Sequence, residues 1–153
     1  MGNQHFREEQ IKLKSILEQT ISTEQLQRNL FDQAFALFKA GKTKDAATAS
    51  EAALKKYPGD ANLLCLAARA NLILKRLDQA GIHIEKAIQQ NPGFAVAHEL
   101  HGDLMLVQNQ LDAAVRSYEQ AIRLDPTRAS VLMKIEKARE FSAAQKPERD
   151  LVA

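Results

Sequence analysis

Residues 95–128 read AVAHELHGDLMLVQNQLDAAVRSYEQAIRLDPTR, a stretch of 34 in which two helical segments meet at a short break and end on a proline. Apolar residues recur at spacings of three and four, as one face of a helix requires, and no β-branched run alternates with period two. Gly102, Ala114 and Ala121 let two backbones approach closely, where a bulky side chain would force them apart. Asn109 suits the break because it tolerates left-handed backbone. Pro126 closes the unit, since it donates no amide and biases the residue before it away from helix.

The same pattern stands 34 residues earlier and 34 before that: Pro58, Pro92 and Pro126 are in register, as are Ala46, Ala80 and Ala114. Ala53, Ala87 and Ala121 form another column, and Ala34, Ala68 and Gly102 a third. The repeats therefore run 27–60, 61–94 and 95–128, with Gly41 in the first repeat's break. A period of this length means stacked units, each hiding its apolar face only against its neighbours. The expected fold class is all-α, with about eight helices once the flanks are counted.

Residues 1–26 hold an amphipathic helix over 5–19, with Ile11, Leu13, Ile16 and Leu17; Ser22 with Gln25 then reads as a capping box that restarts the chain. Residues 129–145 read as a capping helix with Leu132, Ile135, Ala138 and Phe141 on its buried face, and 146–153 as a flexible tail. Asp60 and Thr127 stand where N-caps are wanted.

These columns resemble the tetratricopeptide repeat family. The third repeat matches best, through Gly102, Leu111, Ala114, Tyr118, Ala121 and Leu124-Asp125-Pro126. The second offers Leu64, Ala68, Leu77, Ala80, Ile84, Ala87 and Asn91-Pro92, and the first Leu30, Ala34, Leu37, Gly41, Ala46, Ala53 and Tyr57-Pro58. Gln33, Ser50, Asn71, His98 and His101 depart from the apolar or aromatic residues usual at their positions. The resemblance implies a right-handed α-solenoid of antiparallel helix pairs, whose first helices line a concave groove that binds a peptide or helix of a partner protein. The groove residues it implies are Phe31, Phe35, Phe38, Cys65, Arg69, Leu72, Glu99, Asp103 and Leu106. One subgroup clamps chaperone-tail carboxylates, but the positions that hold its Lys, Asn and Arg are here Phe31, Phe35, Leu66, Val96 and Leu100. A carboxylate there would lose hydration without gaining a charged hydrogen bond. The resemblance also implies an alternative, a substrate-recognition domain of a larger sulfotransferase or glycosyltransferase.

Phe31, Phe35 and Phe38 share one helix face. They are expected either as core, covered by the N-terminal helix through Ile11, Ile16 and Leu17, or as an open apolar groove. Self-assembly as a homodimer through that helix is a further alternative. Arg69 is expected to pair with Glu99 or Asp103 on the next helix of the groove.

The remaining chemistry points away from catalysis. No phosphate loop, nucleophile elbow or metal-protease motif is present, so the chain is expected to be no enzyme and to need no cofactor. His98 and His101 lack further ligands for a metal. Cys65, the single cysteine, has Arg69 one turn on but reads as a packed small side chain. The 21 basic and 19 acidic residues are interspersed, and Lys39, Lys42, Lys44, Lys75 and Arg76 form a basic edge without stacking aromatics. A protein partner is therefore expected, with no nucleic acid and no membrane, in the cytoplasm.

Overall fold

The computed structural model describes residues 2–145. Seven helices follow one another among the described residues, with no strand: α1 (Gly2–Lys39), α2 (Thr43–Lys56), α3 (Ala61–Ile73), α4 (Leu77–Gln90), α5 (Ala95–Val107), α6 (Leu111–Leu124) and α7 (Ala129–Gln145). Each helix packs on the next, and α1, α3 and α5 also touch one another in turn, so the helices that open the repeats form one layer.

The turn inside each repeat is built three times in the same way. Gly41, Lys75 and Asn109 take positive φ of 76°, 60° and 59°. The next residue's amide then reaches back across the turn: Lys42 N–H donates to Leu37 O at 3.0 Å, Arg76 to Asn71 at 2.9 Å and Gln110 to Met105 at 2.8 Å. This is the six-to-one bond of a left-handed helix cap, and it satisfies carbonyls the helix end leaves free. Gly41 and Asn109 were expected here; Lys75 was not, because its side chain gives no sign of left-handed backbone.

Small residues permit close packing inside the pairs. Ala34, Ala46, Ala53, Ala68, Ala80, Ala87, Ala114 and Ala121 are buried. At Gly102 the reason is direct: a Cβ would lie 2.4 Å from the Tyr118 ring. Two core clusters result, one around Leu63, Leu64, Ile84 and Leu100, the other around Tyr118, Val131 and Ile135.

Three sequence expectations are corrected. Seven helices replace about eight, because α1 runs without a break where a capping box was read at Ser22 and Gln25. No Gly or Pro stands between residues 3 and 40 to stop it. The neighbouring hydroxyls bond backward along the helix instead of capping it: Thr20 Oγ1 donates to Ile16 O at 2.9 Å and Thr23 Oγ1 to Gln19 O at 2.8 Å. Asp60 does cap α3, accepting from Leu63 N–H at 3.0 Å, but Thr127 caps nothing; its hydroxyl and amide both donate to Asp125 Oδ1. The buried face of α7 is Val131, Ile135 and Ala138, while Leu132 and Phe141 are exposed. A stripe at spacings of three drifts around a helix of 3.6 residues per turn, so only part of that reading could stay buried. The expected tail, 146–153, lies outside the described residues.

α7 begins 34 residues after α5 and so stands where a fourth repeat would open. Glu136, exposed, occupies the column that Ala34, Ala68 and Gly102 fill in the repeats.

Candidate functional site: an aromatic groove between the first helices

Phe31 and Phe35 lie one turn apart on α1 with ring centroids 5.6 Å apart and planes at 12°. The ammonium of Lys39 sits over the Phe35 ring at 5.5 Å from its centroid. These rings form one wall of a groove of about 270 Å³; Asn62, Cys65, Leu66 and Arg69 of α3 form its floor. Val96 of α5 closes the far side, together with Phe94 and Arg128 from the residues that lead into α5 and α7. Phe35 is 37% exposed, so the groove is open.

The expectation that the N-terminal helix covers these rings is overturned. α1 is one continuous helix, and its residues 4–26 are all exposed, Ile11, Ile16 and Leu17 among them. A segment that continues the same helix as the rings cannot fold back over them.

No carboxylate lines the groove, whereas two arginines do. Of the two, Arg69 is unpaired among the described residues and Arg128 is held by Glu99, and the adjoining cleft that shares Phe31 and Asn62 carries Glu24 and Asp60. The unpaired Arg69 corrects the pairing expected with Glu99 or Asp103. Those two acids turn instead toward α7, which closes that side of the stack. Lys134 Nζ donates to Glu99 at 2.7 Å and to both oxygens of Asp103 at 2.8 and 2.9 Å. Arg128 donates to Glu99 through Nε at 3.1 Å and through its terminal nitrogen, and Tyr118 O–H donates to Asp103 at 2.8 Å. Burial raises the Glu99 pKa, but the hydrogen bonds from Lys134 and Arg128 outweigh it and hold the carboxyl below its usual value.

Cys65 is buried in the groove floor. Burial pushes its thiol up to about 12 against the opposing pull of Arg69, so it packs as a small apolar side chain and is not a nucleophile at neutral pH. His98 bonds the Pro92 carbonyl at 2.9 Å and His101 the Ser117 hydroxyl at 2.7 Å. Among the described residues no group of three or more His, Cys, Asp or Glu could hold a metal ion, and no helix is long and apolar enough to cross a membrane.

Of the groove residues named from the sequence, Phe31, Phe35, Cys65 and Arg69 come together. Phe38 is half-buried one turn further along α1, Leu72 is buried in the first core cluster, and Leu106 is half-buried against the second. Glu99 and Asp103 belong to the α7 network. Phe94 and Arg128 were missed as wall residues. A signal for them exists, since both stand 34 residues apart at the N-cap position that Asp60 fills for α3.

Two family models, each described as tetratricopeptide repeat, match residues 31–93 and 100–128, together more than half of the chain. The chain is a tetratricopeptide repeat protein. No curated protein matches it. Among solved structures, it is similar to the first tetratricopeptide domain of human RPAP3, with a TM-score of 0.71 and 22% identity over 75% of this chain and 91% of that one. It is also similar to the first such domain of Spaghetti bound to the HSP90 peptide SRMEEVD, with a TM-score of 0.71 and 21% identity over 76% and 93%. The Thermobaculum terrenum O-GlcNAc transferase has a TM-score of 0.70 and 19% identity, over 73% of this tetratricopeptide repeat protein but only 22% of the transferase. At these identities the likeness concerns the fold alone.

Proposed function

We propose that this tetratricopeptide repeat protein is a non-catalytic interaction module that holds an apolar segment of another polypeptide in the groove between α1, α3 and α5. The supporting observation is the open pocket walled by stacked Phe31 and Phe35 and flanked by Arg69 and Arg128, with no carboxylate in its lining. Exposed apolar concavities of this kind are where segments of partner proteins dock. The binding mode is not a carboxylate clamp: Phe31, Phe35, Leu66 and Val96 offer aromatic and aliphatic surface where a clamp offers Lys and Asn. The guest therefore contributes a large apolar side chain as its anchor. A buried, unreactive Cys65 asks for no oxidising surroundings, which suits a cytoplasmic setting.

The test is capture of a partner by the tagged chain, with Phe35→Asp as control. The wild type is expected to retain a polypeptide that the variant loses, while the variant keeps its helical circular dichroism. A folded variant that retains the same polypeptide would overturn the groove reading. Global unfolding of the variant would make Phe35 a core residue.

The fold likeness to one part of a much longer transferase supports a second reading, a recognition domain that presents protein substrates to an enzyme. Coding sequence for a transferase in the same frame after Ala153 would favour it, and a stop codon there would remove it.

A further inference from the structure

We propose that the groove's occupant includes the N-terminal arm of a second copy of this chain, so that two copies exchange arms through antiparallel α1 helices; this rests on the groove reading given above. Residues 4–26 of α1 are all exposed within their own copy. Helices in proteins take most of their stability from packing an apolar face, which this arm lacks in its own copy. Five of its large exposed apolar residues, Phe6, Leu13, Ile16, Leu17 and Ile21, all more than half exposed, fall within an arc of about 140° at 100° per residue, while Ile11 and Leu26 lie on the other side. Phe31 and Phe35 lie in the same arc further along the helix. That face of α1 carries apolar residues from Phe6 to Ile21 and again from Phe31, with Glu24, Gln27 and Arg28 between them.

The arm cannot serve its own groove. Phe6 and Phe31 belong to one unbroken helix, about 37 Å apart at 1.5 Å per residue. A second copy can serve it, by the symmetry of a two-fold pair. With the two helices antiparallel and the axis between residues 18 and 19, Phe6 of each copy meets the other's Phe31 at the groove mouth, and Ile16 meets Ile21. The charges agree with this register. Glu9 meets Arg28, which joins no ion pair among the described residues, and Lys12 and Lys14 flank Glu24.

Sedimentation of the full chain at about 100 μM tests this, a concentration at which even a dissociation constant of about 10 μM leaves mostly dimer. The wild type is expected to be dimeric. Phe6→Asp, at an exposed site whose loss cannot unfold the solenoid, and Phe35→Asp are each expected to weaken the dimer at least tenfold. Glu9→Arg weakens it too, and Arg28→Glu added to Glu9→Arg restores it. A monomeric wild type overturns the proposal, as does a dimer that survives Phe35→Asp or a charge exchange that restores nothing. If the monomer nonetheless captures a foreign polypeptide through Phe35, the groove function stands and only the exchange of arms falls.

Discussion

Tyr118 and Gly102 show how a single pair of positions sets what each repeat tolerates. The Tyr118 ring fills the space that a Cβ at residue 102 would need, and its hydroxyl reaches out to Asp103. The other two repeats hold smaller partners in the same columns, Ala68 with Ile84 and Ala34 with Ser50. Volume is thus shared differently between facing positions in each unit. Ser50, buried where an aromatic ring was usual, satisfies itself by donating to the Ala46 carbonyl at 2.7 Å. Gly102→Ala gains helix propensity, about 1 kcal/mol, yet overpacking costs about 1–3 kcal/mol. The clash involves the rigid ring rather than a flexible tip, so the second effect wins. A net loss of up to about 2 kcal/mol is expected from chemical denaturation, with the midpoint lowered and the slope unchanged.

The helices and their turns were legible where the physics is local. Proline, small-residue columns and apolar spacing mark the repeats because each acts within one helix pair. The same local signals misled at Ser22 and Gln25, since a capping box competes with continued helix and nothing nearby breaks α1. Lys75 escaped notice because the geometry there is imposed by the flanking helices, not by the residue. Its left-handed backbone is strained for a side chain with a Cβ. Lys75→Gly relieves that strain but loosens the unfolded chain, and the balance favours the variant by about 0.5–1 kcal/mol. Thermal unfolding checks this: a midpoint no higher than that of the wild type would show that Lys75 is unstrained.

Across the molecule, the groove's wall residues on α1 and α3 could be read from the sequence, but its electrostatics could not. Arg69 and Glu99 stand at groove positions in neighbouring helices, and only the placement of α7 decides that Glu99 turns away to Arg128 and Lys134. That contact makes the closed end of the stack sensitive to acid. Glu99 has a folded pKa below its unfolded value, so its contribution is fully present above about pH 4.3 and is lost as pH falls through the folded value. Glu99→Gln is expected to cost roughly 1.5–3 kcal/mol at pH 7, as hydrogen bonds to charged groups do, and progressively less in acid. Unfolding free energies of both proteins between neutrality and pH 3 check it; parallel curves would show that Glu99 does not titrate as described.

Glu136 has a consequence for how such a protein can be lengthened. In the column where two backbones must nearly touch, it presents an exposed carboxylate to the side on which a partner helix would have to lie. Duplicated units can therefore be spliced in ahead of α7, at the junction before Ala95, where the register of the repeats continues. Added behind α7, the same unit would meet a charged, ill-fitting seat.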